Sequence, residues 1–341
     1  MRAVEASPDG LGLVEAPPPA VPPGWARVQV RACGLCRSDL HLLGGGALPP
    51  GVSWPLRPGH EVSGVVIDGA DDGGPEPGTP VVLQTLRACG DCPACRGGTE
   101  ERCPGARVLG IHDPGGMADQ VAWPAARLVP VPGLDPVEAA VLPDAVATAH
   151  HALRLAALDA DATLCVIGAG GVGFHVIELA RLLHPGVRVV TVARSEATAR
   201  RLTEAGVEVV RPLEGAGRGV RKAAGPAQAV IDFSGAAEAP AEGIRMLGPG
   251  GRLVLGSILD QPVTLGMPMT GVVTRELTVT GCYASTLADL SAVAGLATAH
   301  RLDLAGSVSA RFPLEEADRA FRALEERAGG TVRIVLDAGN G

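Results

Sequence analysis

The sequence predicts an α/β protein that joins a β-barrel-like module to a doubly wound parallel sheet. A chain of 341 residues is longer than one hydrophobic core usually organises, which indicates two domains. Residues 1–145 consist of short β-type runs separated by Pro and Gly, whereas strand-like and helix-like runs alternate in residues 146–281. Residues 282–341 end in another strand-like run, which we expect to return to the first module.

Charge and composition argue against several classes of function. The formal net charge of −8 provides no basic surface for nucleic acid and disfavours binding to anionic membranes. No apolar run reaches the roughly 18 residues of a membrane span, and the first five residues lack the apolar core of a signal peptide. We therefore expect a cytoplasmic protein that binds neither nucleic acid nor membranes.

The strands of the first module are predicted by three runs. Residues 27–31 alternate between polar and apolar side chains, and residues 62–67 and 80–83 are apolar and bounded by turn residues. Near the C-terminus, residues 314–326 predict a helix and residues 332–336 predict the final strand.

A candidate metal site lies in residues 36–41, Cys-Arg-Ser-Asp-Leu-His, together with residues 59–61, Gly-His-Glu. Cysteine sulfur and histidine nitrogen are ligands that Zn²⁺ prefers. A catalytic zinc takes three protein ligands and leaves a fourth position for water or substrate. We predict that Cys36 and His60 are two of those three ligands.

Four further cysteines lie within fifteen residues: Cys89, Cys92, Cys95 and Cys103. Their spacing, C-x2-C-x2-C-x7-C, is typical of a closed tetrahedral zinc site. An iron–sulfur cluster and a pair of disulfides are the alternatives, although cysteines so close together pair poorly as disulfides in a cytosolic protein. We predict a structural zinc in a lobe at residues 86–104.

The second module opens with a dinucleotide-binding fingerprint. Residues 163–167 predict a buried strand, and an apolar helix extends to Leu183. The loop between them permits a tight turn and close approach of a pyrophosphate to the helix N-terminus. Its candidate binding residues are Gly168, Gly170, Gly171, Val172 and Gly173.

The residues that follow the next predicted strand, residues 187–192, indicate which dinucleotide the protein binds. An acidic residue there would bind the ribose of NAD, but this chain has Ala193, then Arg194 and Ser195. Arg194 and Ser195 can bind a 2′-phosphate, so we predict NADP in preference to NAD. The alternative is a solvated Arg194 and weaker binding of NAD. A later strand ends at Ser234, which we expect to line the cofactor site.

Together these motifs resemble the zinc-dependent medium-chain dehydrogenase/reductase family, the alcohol dehydrogenases, over essentially the whole chain. The resemblance implies a GroES-like catalytic domain (1–145), a Rossmann domain (146–281) and a C-terminal return to the catalytic domain (282–341). It also implies a homodimer or homotetramer, with the strand near residues 276–283 commonly joining subunits.

The resemblance assigns roles around the metal. Cys36, His60 and Asp144 match the ligands of a catalytic zinc, as in bacterial members with a Cys-His-Asp set, which implies two zinc ions per chain. Glu61 matches an acid close to that zinc, and Asp39 matches a carboxylate that orients His60. The alternative for Asp144 is that it only caps the helix predicted at residues 145–153.

The resemblance also assigns residues around the substrate and cofactor. Ser38 matches a hydroxyl that binds the substrate oxygen, and His41 matches the outer end of the proton relay. Thr148 matches a residue close to the nicotinamide ring, and Arg333 matches a pyrophosphate contact. Two residues are candidates for the substrate pocket: Trp54, which could equally serve packing, and Thr85, at a position that is often aromatic in the family.

The predicted function is hydride transfer between an alcohol, or its aldehyde or ketone, and NADP(H) or NAD(H), with zinc activating the substrate oxygen. One alternative is a catalytically silent family member that acts as a binding or structural protein; intact Cys36, Ser38, His41 and His60 argue against it. The other is a zinc-independent quinone or enoyl reductase of the same fold, which usually lacks both zinc motifs.

Overall fold

The computed structural model describes residues 1–44, 48–69, 73–326 and 330–339. The chain divides into two compact units, Met1–Ala147 with Ala284–Gly341, and Thr148–Tyr283. A largely antiparallel sheet organises the first unit and an all-parallel sheet organises the second. The predicted α/β class, with a barrel-like module and a doubly wound sheet, is confirmed.

The strands follow the chain from a short N-terminal hairpin to the final strand. They are β1 (Arg2–Ser7), β2 (Gly10–Glu15), β3 (Trp25–Leu35), β4 (Glu61–Asp68), β5 (Pro80–Leu83), β6 (Leu86–Arg87), β7 (Arg107–Val108), β8 (Gln120–Pro124), β9 (Leu128–Pro130), β10 (Thr163–Ile167), β11 (Arg188–Val192), β12 (Glu208–Val210), β13 (Ala227–Asp232), β14 (Leu247–Leu255), β15 (Thr278–Gly281), β16 (Val308–Pro313) and β17 (Arg333–Asp337).

The helices are mostly short in the first unit and longer in the second. They are α1 (Arg37–Leu43), α2 (Pro93–Arg96), α3 (Pro136–Ala139), α4 (Ala147–Ala156), α5 (Gly171–Leu183), α6 (Glu196–Glu204), α7 (Ala216–Ala224), α8 (Ala239–Met246), α9 (Met269–Val273), α10 (Leu287–Thr298) and α11 (Ala317–Glu326). A π-helical turn, Leu142–Val146, precedes α4. Single 3₁₀ turns span Glu100–Arg102, Ala125–Arg127, Ala305–Ser307 and Leu314–Glu316.

The main sheet of the first unit has the order β16-β17-β3-β4-β5-β9, and β8 also pairs with β3. Alternate residues of β3 are buried, as expected for a strand with one face on a core. The core includes Val28, Val66, Leu83 and Trp123. The C-terminal β17 lies antiparallel to β3, with Ile334 opposite Leu35. This register places Arg333 beside the end of β3 that leads into Cys36.

The sheet of the second unit has the order β12-β11-β10-β13-β14-β15, with all neighbours parallel. Its core is built from small apolar side chains such as Cys165, Val190, Val230 and Leu253. The β10 strand has the bounds that the sequence predicts, and the α5 helix ends at Leu183 as predicted. Residues 251–255 form an apolar run that predicts a strand, and the β14 strand includes them but begins four residues earlier, at Leu247.

The expected helix N-cap at Asp144 is wrong. Helical geometry begins earlier, in the π-helical turn Leu142–Val146, whose N-cap position is Val141. Asp144 therefore lies inside the turn, and its carboxylate accepts a hydrogen bond from Arg333 of β17 instead of defining the helix start. Among the described ranges, no helix combines the length and apolar character needed to cross a membrane.

Candidate metal centre and cofactor loop

A buried carboxylate, Asp39, connects the two predicted ligands Cys36 and His60. Cys36 lies between β3 and α1, at the N-cap position of that helix. Its backbone N–H donates to Asp39 Oδ2 over 2.9 Å. The other oxygen, Asp39 Oδ1, lies 3.3 Å from Nδ1 of His60. One carboxylate thus orients both the turn that carries the thiol and the ring that carries the second ligand nitrogen.

Close packing around the ligands explains why positions 34 and 59 are glycine. Gly59 has a φ of +103°, and a Cβ there would lie 2.6 Å from Sγ of Cys33. A Cβ at Gly34 would lie 2.1 Å from Oε2 of Glu61. Both positions therefore require glycine if His60 and Glu61 are to occupy their places at the start of β4.

Arg333 joins the two carboxylates of the site. Its Nη2 donates to Asp144 Oδ2 over 2.9 Å, and its Nε donates to Glu61 Oε2 over 3.0 Å. The guanidinium is only 4% exposed. The family resemblance assigned Arg333 to the cofactor pyrophosphate, and that contact stays a prediction. In the structure the side chain of Arg333 lies among the candidate metal ligands.

The donor atoms fit a divalent cation. One ligand atom each from Cys36, His60, Glu61 and Asp144 lies within 4.8 Å of all the others. Nε2 of His60 faces this group and lies 3.9 Å from Asp144 Oδ2. This buried cluster contains more carboxylates than guanidinium groups. A bound cation would therefore balance the excess negative charge of the cluster. Thiolate, imidazole and carboxylate together are a zinc donor set.

Burial and neighbouring charges give the carboxyl groups of Asp144 and Glu61 different pKa values. Burial raises the pKa of Asp144, but the charges of His60 and Arg333 outweigh it and hold the pKa at about 2. Burial raises the pKa of Glu61 well above its usual range despite the opposing effect of Arg333. Asp144 is therefore the better anionic ligand of the two.

Four sulfur atoms form the second cluster. The Sγ atoms of Cys89, Cys92, Cys95 and Cys103 all lie within 4.8 Å of one another. The distance between Cys92 and Cys95 sulfurs is 3.5 Å, far longer than a disulfide bond of about 2.05 Å. The Cys89 backbone N–H donates to Cys103 Sγ over 3.4 Å, which favours a thiolate. Four such sulfurs match the closed site of a structural zinc.

The glycine loop after β10 packs tightly against itself and against the end of β13. Gly168 has a φ of +84°, and a Cβ there would lie 2.6 Å from Cα of Ser234. A Cβ at Gly173 would lie 1.8 Å from the Gly168 carbonyl oxygen. The α5 helix begins at Gly171 with Gly170 as its N-cap, so its first amides, including that of Val172, are available to an anion.

Arg194 and Ser195 lie exposed after β11, and a second arginine that the sequence motifs missed lies beside them. Ser195 caps α6, because its Oγ accepts from the backbone N–H of Thr198 over 3.2 Å. Arg211 donates to the carbonyl oxygen of Arg194 over 3.0 Å and pairs with Glu196. The segment therefore presents positive charge at a helix N-terminus.

The remaining predicted site residues lie in varied surroundings. Oγ of Ser38 is 3.4 Å from Nε2 of His60, and His41 is exposed one turn further along α1. Trp54 is half-buried in the loop before His60, and Thr148 is buried at the start of α4. Thr85 is 4% exposed, and its hydroxyl contacts backbone carbonyls. The pocket and cofactor roles of these residues stay predictions.

Comparison with protein families gives two matches along the chain. The family model of the alcohol dehydrogenase GroES-like domain matches residues 22–133. The model of the zinc-binding dehydrogenases matches residues 171–299. The order of the two models follows the order of the barrel-like module and the glycine loop.

Individual relatives match over nearly the full chain. A probable zinc-binding alcohol dehydrogenase of Mycobacterium tuberculosis is 30% identical over 98% of this chain and 88% of its own length. An NAD-dependent alcohol dehydrogenase of Sulfurisphaera tokodaii is 29% identical, covering 95% and 96%. A zinc-binding dehydrogenase from Sinorhizobium meliloti, solved bound to NADP, superposes with a TM-score of 0.88 at 27% identity, covering 98% of both chains.

Proposed function

Because the chain belongs to the zinc-dependent medium-chain dehydrogenase/reductase family, the alcohol dehydrogenases, we propose that it transfers hydride between an alcohol and NADP, and in reverse from NADPH to an aldehyde or ketone. It is a zinc-dependent, NAD(P)-linked dehydrogenase. The observation that supports the proposed chemistry is the group of Cys36, His60 and Asp144, whose donor atoms lie within 4.8 Å of one another.

We assign the following roles to the residues of the site. Cys36, His60 and Asp144 hold the zinc, and Asp39 orients the first two. A zinc ion held there supplies Lewis acidity toward the substrate oxygen. Glu61 is retained by Arg333 at the edge of the donor group, which leaves a position for substrate.

The proton of the alcohol leaves through Ser38, whose hydroxyl lies 3.4 Å from Nε2 of His60. His41 follows on the same helix, three residues along the chain, so both side chains lie on one face of α1. We assign Ser38 to the substrate end of a proton relay and His41 to its outer end.

The proposal is tested by assaying the purified protein with primary and secondary alcohols and NADP, and with the matching carbonyl compounds and NADPH. Turnover of at least one alcohol–carbonyl pair is the expected result. Turnover of a quinone or an enone, without turnover of any alcohol, would indicate a zinc-independent reductase instead.

Replacement of Ser38 with Ala should lower kcat by about 100-fold, because the substrate proton loses its nearest acceptor. Zinc content should stay unchanged, since Ser38 is not among the proposed ligands. Ser38→Thr, which keeps the hydroxyl, serves as the matched control and should retain most of the turnover. Equal kcat values for Ser38→Ala and the wild type would exclude the relay.

We propose NADP as the preferred cofactor. No acidic side chain follows β11 directly, whereas Arg194 is exposed there and Arg211 adds a second positive charge. Glu196 already pairs with Arg211, so the exposed Arg194 is the main group that favours a 2′-phosphate over a ribose hydroxyl. The relatives include both kinds: the one from Sinorhizobium meliloti was solved with NADP, and the one from Sulfurisphaera tokodaii is named as NAD-dependent. The proposal therefore rests on Arg194 and on the missing acidic residue.

Replacement of Arg194 with Ala is expected to weaken NADPH binding by about tenfold and to leave NADH binding nearly unchanged. Fluorescence titration of the purified protein with each reduced cofactor measures both dissociation constants. Arg218→Ala, which removes another exposed arginine of the second unit, is the control and should alter neither constant. A parallel weakening of NADH and NADPH binding would contradict the assignment.

We also propose a homo-oligomer in the cytoplasm. The β15 strand lies at the edge of its sheet, and Met269, Val273, Val279 and Tyr283 expose apolar surface near it in the sequence. None of the eight cysteines, all of which lie in the described ranges, forms a disulfide, which suits a reducing compartment. A monomeric mass in light scattering at micromolar concentration would disprove the assembly.

A further inference from the structure

Two buried hydroxyl groups bind the chain segment that leads to Asp144. Oγ1 of Thr85 lies 3.3 Å from the carbonyl oxygen of His60 and 3.3 Å from that of Pro143. Ser63 donates its hydroxyl proton to the carbonyl oxygen of Pro136. Thr85 is 4% exposed and Ser63 is 1% exposed. Water therefore competes little for these contacts, and removal of either hydroxyl takes a hydrogen bond from the segment. The Pro136 carbonyl would keep the backbone N–H of Ala140 as a donor over 3.1 Å, so we expect the loss of the Ser63 hydroxyl to have the smaller effect.

Thr85 connects the backbones of two predicted ligands. One of its acceptors is the carbonyl of His60 itself, and the other belongs to Pro143, the residue before Asp144. Its single hydroxyl proton is shared between the two oxygens. The chain separation between His60 and Asp144 is large, so non-local contacts such as these must bring the two segments together.

The backbone around Thr85 is itself well fixed. The N–H of Leu109 donates to the Thr85 carbonyl over 3.0 Å, and the N–H of Gln84 donates to the Arg127 carbonyl over 2.9 Å. The indole Nε1 of Trp123 donates to the Gln84 carbonyl over 2.8 Å. A hydroxyl on such a rigid support can define where its acceptors lie.

Ser63 acts on the other end of the same segment. It lies two residues after Glu61 on β4, so both side chains point to one face of the strand. Its acceptor, Pro136, is the first residue of α3. The segment from Pro136 to Asp144 is thus bound near its beginning by Ser63 and near its end by Thr85.

We propose that Thr85 and Ser63 are positioning residues of the metal centre, which fix Asp144 relative to Cys36 and His60 through the backbone. This inference rests on the proposed zinc at that centre. Metal ligands must be held within about 0.5 Å of their working geometry. Loss of either hydroxyl would loosen the Asp144 segment while every ligand side chain stays present.

The test compares four variants of the full-length zinc-loaded protein. Thr85→Val removes the hydroxyl at nearly constant shape, Thr85→Ser keeps it, and Ser63→Ala removes the second hydroxyl. Thr191→Val is the matched control, because the buried hydroxyl of Thr191 donates to the carbonyl of Val166 over 3.0 Å in the other unit. The measurement is the rate at which each zinc ion is lost to a chelator, with the structural zinc as internal reference.

We expect Thr85→Val to lose the catalytic zinc about tenfold faster than the wild type, and Ser63→Ala to lose it several-fold faster. Thr85→Ser should restore the wild-type rate, and Thr191→Val should not change it. After replacement of the catalytic zinc by Co²⁺, the visible absorption bands of Thr85→Val should shift, whereas those of Thr191→Val should not.

The outcomes separate this inference from the proposed function. A wild type that loses two zinc ions, with Thr85→Val and Ser63→Ala at the wild-type rate, overturns the inference and leaves the function intact. A wild type that carries only the four-cysteine zinc overturns both. If Thr85→Val does not fold, Ser63→Ala decides the question by the same measurement.

Discussion

Replacement of Asp144 with Ala is expected to lower turnover of alcohol by at least about 1000-fold and to release the catalytic zinc. The structure leaves Cys36 and His60 as the only other proposed ligands, and two protein ligands hold zinc poorly. Removal of the carboxylate also deprives the buried guanidinium of Arg333 of one of its anionic partners. Steady-state assays with NADP and a reactive alcohol measure the loss.

Asp144→Cys is the matched control for this prediction. It replaces one anionic zinc ligand with another and should keep the zinc and a measurable part of the turnover. Thermal unfolding of both variants shows whether they are folded. Turnover by Asp144→Ala close to that of the wild type would mean that Asp144 is not a ligand.

Loss of the four-cysteine zinc should destabilise the protein strongly. Cys103→Ser removes one of the four sulfurs, so we expect the lobe zinc to be lost and Tm to fall by roughly 5–10 °C. The lobe contributes Glu100, which accepts from the backbone N–H of Leu287 and pairs with Arg127. An unfolded lobe would therefore release contacts with α10 and with the turn before β9.

Cys282→Ser provides the control, since Cys282 is buried in the other unit and is not one of the four lobe cysteines. It should keep all the zinc and show a smaller change in Tm. Elemental analysis and differential scanning calorimetry of both variants make the comparison. Retention of wild-type zinc and Tm by Cys103→Ser would rule out a structural metal in the lobe.

Features encoded by neighbouring residues were predicted well from the sequence. The strand β10, the glycine loop and the helix α5 follow directly from apolar runs and from glycines whose positions a Cβ could not occupy. The motif around Cys36 likewise places Asp39 three residues away, at the correct distance to cap α1 and reach His60.

Features that depend on distant segments were predicted less well. The place of Arg333 beside Glu61 and Asp144 follows from the register of β17 on β3, which no local pattern reveals. Knowledge that Ile334 lies opposite Leu35 would have put Arg333 next to Cys36. The helix start at Leu142, before Asp144, and the contacts of the Thr85 hydroxyl depend in the same way on tertiary packing.

The most direct test of the account is the zinc content per chain of the purified wild type and of Asp144→Ala, measured by elemental analysis. The account predicts two zinc ions in the wild type, at the Cys36–His60–Asp144 group and the four-cysteine lobe, and about one in the variant. One zinc ion in both proteins would contradict it, because the candidate catalytic centre would then hold no metal.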